Sequence, residues 1–130
     1  MNYSSWHLIG EDEFPVYHQF ISPRILTLLV APALLGTAFT ILMLWARPAA
    51  IPRWAVWAAI ATQVVVWVST ATIQVPIQLQ LSEQGLALDL IDRLIVTNFW
   101  LRRIPYAVCA GLFLWMAAQA IGVGGARRAA

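Results

Sequence analysis

Lysine is absent from this chain of 130 residues, and charge of either sign is scarce. Eight arginines and six acids make up 11% of the residues, against roughly 25% in an average soluble domain. A net charge of +2 is too small for a nucleic-acid partner, which needs many phosphate contacts on one basic face. The single cysteine, Cys109, excludes an intrachain disulfide, and its place in an apolar run suits a small buried side chain. Histidine is limited to His7 and His18. With Glu11, Asp12 and Glu13 between them and neither a His-Glu-x-x-His motif nor a cysteine pair, no metal site is expected. Haem held by two axial histidines would need both. Glycine-rich phosphate loops and Gly-x-Ser-x-Gly elbows are also missing, so no motif requires a cofactor, and the cofactor complement is left unknown.

Apolar residues fill the space that charge leaves, at 61% of the chain. Residues 25–45, 54–82 and 104–126 are uncharged, each long enough for the ~20 residues that cross a hydrocarbon core. The sequence therefore predicts one all-α integral membrane domain, a four-helix bundle over 1–130. Its helices are expected at about 22–46, 54–80, 86–102 and 104–123, with a flexible tail at 124–130. The first is expected to begin at Ser22-Pro23, where Pro is tolerated in a first turn, and Pro76 to kink or end the second. The third is short and amphipathic: it either spans or lies in the interface. Acids and no lysine or arginine in 1–15 give the wrong polarity for a signal peptide, so the first apolar run is expected to remain as an anchor.

Orientation follows from arginine placement. With four spans, Arg47, Arg53, Arg102 and Arg103 share one side without acids, which puts both termini outside a bacterial inner membrane. If the third segment does not span, Arg127 and Arg128 move inside and the rule holds equally.

Polar residues inside the apolar runs carry the functional information. Gln63, Thr70, Gln74 and Gln78 lie within about 60° of one another on a helical wheel, with Trp67 on the same stripe. Lipid cannot satisfy a glutamine amide, so this seam faces other helices, a cavity or a ligand. His18, Ser22 and Thr40 align on the first helix, and Gly36-x-x-x-Thr40 allows close helix approach. His18, Gln74 and Gln78 fall at one level, with Glu13 nearby, and histidine is the side chain suited to proton transfer near neutral pH. Asn98 and Arg102 stand four apart on the apolar half of the third segment, aimed inward if it spans. Trp67 and Trp115, near mid-span, are placed either to pack or to stack on a flat ligand.

Trp6-His7-Leu8-Ile9-Gly10, Glu13-Phe14, Tyr17-His18 and Pro32, then Gln74-Val75-Pro76-x-Gln78-x-x-Leu81, then Asn98-Phe99-Trp100-x-Arg102 together resemble an uncharacterised family of small bacterial four-helix membrane proteins. More distantly, the chain is similar to membrane proteins of the anthrone-oxygenase type. That second resemblance implies dioxygen chemistry on polycyclic phenolic substrates without an evident cofactor. The chain departs from the nearer family's pattern at Gln78, where histidine is frequent, and at an inserted Phe99.

Two functional readings stay open at this level. One is a small-molecule membrane enzyme, a cofactor-independent oxygenase or isomerase acting on a hydrophobic aromatic or quinone-like compound. In it His18 would exchange protons, Arg102 would stabilise negative charge, Gln74, Gln78 and Asn98 would hold polar substrate groups, and Trp67 with Trp115 would line the apolar part. The other is a non-catalytic accessory subunit or homo-oligomer in a larger membrane complex, whose seam is a helix-helix interface. The lipid bilayer is the partner common to both.

Overall fold

A computed structural model describes residues 3–128. Among them the chain is all-helical. A short 3-10 helix, Tyr3–Leu8, precedes three long helices: α1 (Phe14–Ala46), α2 (Arg53–Gln84) and α3 (Leu88–Gly122, continuing to Arg128). Each of the three is long and apolar enough to cross a membrane.

The expected third and fourth helices are therefore one. Arg102-Arg103 followed by Pro105 reads as a stop, because proline lacks an N–H and its ring clashes with the carbonyl four residues back. The backbone instead widens into a π turn over Phe99–Arg103. The Ile104 N–H reaches back five residues to the Phe99 carbonyl, and the helix passes through Pro105. α2 does the same at Thr70–Gln74, with Val75 N–H bonded to the Thr70 carbonyl ahead of Pro76. α1 has its π turn at Leu26–Val30, ahead of Pro32. Three helices thus carry one wide turn each, always two residues before a proline.

α1 also begins earlier than its sequence suggested. The Phe14 N–H bonds the Gly10 carbonyl at 3.0 Å, Pro15 falls in the first turn where a missing donor costs nothing, and Pro23 lies inside the helix. At the far end Arg47 turns extended ahead of Pro48, which disfavours the helical region for the residue before it. The loop to α2 is closed by Ile51 N–H on the Pro48 carbonyl at 3.0 Å and by the Arg47 guanidinium on the Ile51 carbonyl. α2 ends at Gly85, whose φ of 80° is one that favours glycine and whose N–H caps the Leu81 carbonyl. Helix also covers most of the expected flexible tail, through Arg128; 129–130 lie outside the described residues.

Two apolar cores result. At the loop end, Ile51, Ala55, Val56, Ala59, Cys109 and Met116 are buried together. Small residues on α2 let α3 approach closely there. At the opposite end Tyr3, Trp6, Phe14, Ile77, Leu81, Ile91 and Leu94 form the second core. Ile91, Leu94 and Asn98 are the buried face of the amphipathic segment, at spacings of three and four that make one helical stripe. That segment is the upper part of α3, held by the 3-10 helix, and is not a separate helix. His7 adds an ion pair to Asp92 at 3.1 Å, largely exposed and so worth little. Trp6 is 1% exposed and meets Tyr3, Phe14 and Tyr17 edge-on.

Candidate active site

Between the two cores lies a polar belt, built around His18. Its ring is buried, stacked on Phe14 at 5.6 Å and met edge-on by Trp6 at 5.6 Å. The Nε2 and the Gln78 Oε1 are 2.7 Å apart, so Nε2 carries the proton and donates it, since a carbonyl oxygen can only accept. Nδ1 then presents a lone pair. The hydroxyls of Ser82 and Ser22 lie 3.2 Å and 3.5 Å from it, yet each is closer to a backbone carbonyl, Gln78 at 2.9 Å and His18 at 2.7 Å. A hydroxyl has one proton to give. Both are better placed on the carbonyls, which leaves Nδ1 weakly satisfied.

The Tyr3 phenol feels both Gln78 and the Arg102 charge. Arg102, Tyr3, Gln78 and His18 therefore stand in a row drawn from all three long helices and the 3-10 helix. Burial raises the Tyr3 phenol above its ordinary value, opposed by the Arg102 charge and by hydrogen bonds from Gln78 and Arg102.

A cavity of about 240 Å³ opens beside this row. His18, Gln74, Gln78 and Arg102 line it with Tyr3, Ser22 and Ser82. Its apolar wall includes Val75 and Leu79, 46% and 58% exposed, so the mouth is a lateral one on the α2 side. Every π turn contributes: Val30 from the first, Thr70 and Gln74 from the second, Arg102 from the third. π turns inside α-helices frequently mark functional sites. Among the described residues, two buried side-chain polar atoms make no hydrogen bond, Gln74 Oε1 and Arg102 Nε. Both belong to residues lining this one cavity. Gln74 is 2% exposed, with its Nε2 on Thr97 Oγ1 at 3.1 Å. An unpaired buried acceptor costs about 1–3 kcal/mol, and one acceptor and one donor on residues lining the same cavity are the complement of a ligand carrying a hydroxyl and a carbonyl.

The remaining candidates lie elsewhere. Gln63 bonds Thr40 Oγ1 at 2.8 Å and contacts Cys109 Sγ at 3.7 Å. Trp67 donates to Thr37 at 3.0 Å. Both line a separate cavity of about 250 Å³ toward the loop end. The glutamine seam is thus divided: Gln63 and Trp67 fasten α2 to α1, while Gln74 and Gln78 face the His18 cavity. Trp115 packs on Trp54 at 5.5 Å and lines neither. Asn98 is buried but opens on neighbouring cavities with Arg103, and Glu13 is exposed. No three His, Cys, Asp or Glu side chains converge among the described residues. Tyr3 escaped the sequence reading. Its signal is Trp6 three residues on, which places both on one side of a 3-10 turn.

The chain matches no family model, no curated protein and no solved structure. What the site does must be argued from its atoms.

Proposed function

We propose that the chain is an integral membrane enzyme that binds a small hydrophobic hydroxy-carbonyl or quinone-like molecule in the His18 cavity and moves a proton on it. The observation that carries this reading is the pair of unsatisfied atoms, Gln74 Oε1 and Arg102 Nε, in residues lining a single cavity beside an oriented imidazole. A substrate hydroxyl donates to Gln74, and its carbonyl oxygen accepts from Arg102. His18 Nδ1 takes a proton from carbon. The C–H electron pair moves into a new C=C bond, and negative charge collects on the oxygen at Arg102, where a fixed donor stabilises it most. Return of the proton from His18 to that oxygen or to the conjugate carbon completes an isomerisation. Gln78 orients the imidazole, and Tyr3 orients Gln78. The first step is also the one a cofactor-independent oxygenase needs before dioxygen adds, but isomerisation requires only the groups named.

Three long apolar helices support the membrane assignment, as do the exposed Trp45, Trp54 and Trp57 around the loop end. With three spans the eight arginines divide evenly, 47, 53, 127 and 128 toward the loop end and 24, 93, 102 and 103 toward the His18 end with all six acids. At about 240 Å³ the cavity is below the ~300–1,000 Å³ typical of ligand pockets. A polar head enters it while an apolar remainder lies outside along the exposed Val75 and Leu79. The accessory-subunit reading has less to use, because Gln63, Trp67, Gln74 and Gln78 all bond within the chain.

The test is native mass spectrometry of the detergent-purified protein, unsupplemented and incubated with a hydroxynaphthoquinone. One bound molecule per chain is expected, lost in Gln74→Leu and in Arg102→Gln with the fold retained. No adduct in either sample, or an adduct kept by both variants, overturns the reading.

A further inference from the structure

Arg102 and Arg103 are adjacent charges with no acid at hand. Among the described residues the single ion pair is His7 with Asp92, and Asp92 is the nearest acid on α3, about 15 Å up the helix from Arg102. On the side of Arg102 away from His18, a groove of about 450 Å³ runs between α1 and α3. Its polar end is made by Asn98, Arg102, Arg103 and Tyr106, and its apolar wall by residues that include Leu28 and Leu29. The wall is open to the side: Leu28 is 70% exposed and Leu29 41%. Two guanidinium groups, a buried amide and a phenol converge at one end of an apolar trough.

Depth fits a headgroup. Below Arg103, α3 runs uncharged for about 19 residues to Gly122, or ~28 Å, close to the ~30 Å of a hydrocarbon core. Arg102 and Arg103 therefore stand at the upper edge of that stretch. Phe99 and Trp100, 45% and 62% exposed, sit one turn above, as aromatic residues do at a membrane-water boundary. Cations at this depth are costly unless paired, and among the described residues no acid pairs with either.

We infer that this groove is a binding site for a phospholipid of net negative headgroup, with the phosphate on Arg102, Arg103, Asn98 and Tyr106 and an acyl chain along Leu28 and Leu29. A lipid is favoured over free phosphate because the wall beside the charges is apolar and laterally open. The inference rests on the membrane assignment above and not on catalysis at His18. The bound headgroup would neutralise the belt on the far side of Arg102.

The experiment reconstitutes the full chain in phosphatidylcholine with and without phosphatidylglycerol, and reads the melting temperature and lipid adducts by native mass spectrometry. Phosphatidylglycerol is expected to raise the melting temperature and to remain as one adduct per chain, with Arg103→Gln weakening it about fivefold and Arg103→Lys keeping most of the affinity. Tyr106→Phe, a milder change, is expected to weaken the adduct in the same direction and serves if Arg103→Gln folds poorly. Equal retention of phosphatidylcholine, or undiminished phosphatidylglycerol binding by both Arg103→Gln and Tyr106→Phe, overturns the site. Inorganic phosphate alone reproducing the full shift overturns the lipid as its occupant. A hydroxynaphthoquinone adduct that persists in Arg103→Gln separates this outcome from failure at His18.

Discussion

Two glutamines one helix apart in role make the sharpest test. Gln63→Leu deletes a donor that serves Thr40 and touches Cys109, and the Thr40 hydroxyl still donates to the Gly36 carbonyl at 2.8 Å. Side-chain bonds between membrane helices average ~0.6 kcal/mol and reach ~1.7, so the loss is expected at about 1 kcal/mol. Gln74→Leu also deletes one bond, to Thr97, whose hydroxyl keeps its own donation to Arg93 at 2.7 Å. It simultaneously removes a buried acceptor that has no partner, relieving about 1–3 kcal/mol. The sign therefore reverses. Ligand-free Gln74→Leu should be more stable by roughly 0.4 kcal/mol, taking the smaller relief of about 1 kcal/mol against the average bond of about 0.6 kcal/mol, while losing ligand binding. Unfolding in mixed detergent micelles with increasing denaturing detergent, followed by circular dichroism, measures both variants on one scale. If Gln74→Leu loses as much stability as Gln63→Leu without ligand, the Gln74 carbonyl is satisfied and the argument from unpaired atoms fails.

Trp6→Ala should cost about 3–5 kcal/mol, the usual result of removing a fully buried aromatic side chain, read by thermal unfolding; a loss below 1 kcal/mol would deny the upper core its centre. Imidazole nitrogen NMR should find His18 as the Nε2–H tautomer, and Gln78→Leu should turn it into a mixture. An Nδ1–H tautomer in the unaltered protein contradicts the base assignment. Stability should be flat with pH up to the ordinary phenol range near ~10 and fall above it, because the Tyr3 phenol is raised in the folded protein and the unfolded chain ionises first. Tyr3→Phe should flatten that fall in denaturation curves taken across alkaline pH; an unchanged slope assigns it to other groups.

What the sequence made legible was periodicity and solvation. Three long uncharged runs and a stripe of glutamines are visible because helical spacing and the cost of burying amides leave few arrangements. Misread were the prolines. Pro23 suits a first turn and Pro105 a stop by local rules, yet Pro23 lies inside α1, and wide turns ahead of Pro32, Pro76 and Pro105 carry each helix on. Tyr3 was missed because its three-residue spacing to Trp6 marks only a local turn, while its role depends on the 3-10 helix folding back over α3. Division of the seam between fastening and cavity was hidden for a similar reason. Gln63 and Gln78 are the same side chain on the same face, and only the neighbour across the gap, Thr40 or His18, tells them apart.

The three wide turns mean that residue count and helical phase are uncoupled at one level of the bundle. A π turn holds one residue more than the α-helix it interrupts, so removing a single residue within Phe99–Arg103, together with Pro105→Ala to lift the ring clash, restores ordinary winding without turning either flank. Ile91 and Leu94 above would keep facing the upper core, and Cys109 and Met116 below would keep facing the lower one. The same deletion a few residues further along would rotate everything beyond it by about 100° and carry Met116 out to the lipid. The belt around the cavity is thus a slip joint, where the chain can lose a residue and keep both cores aligned.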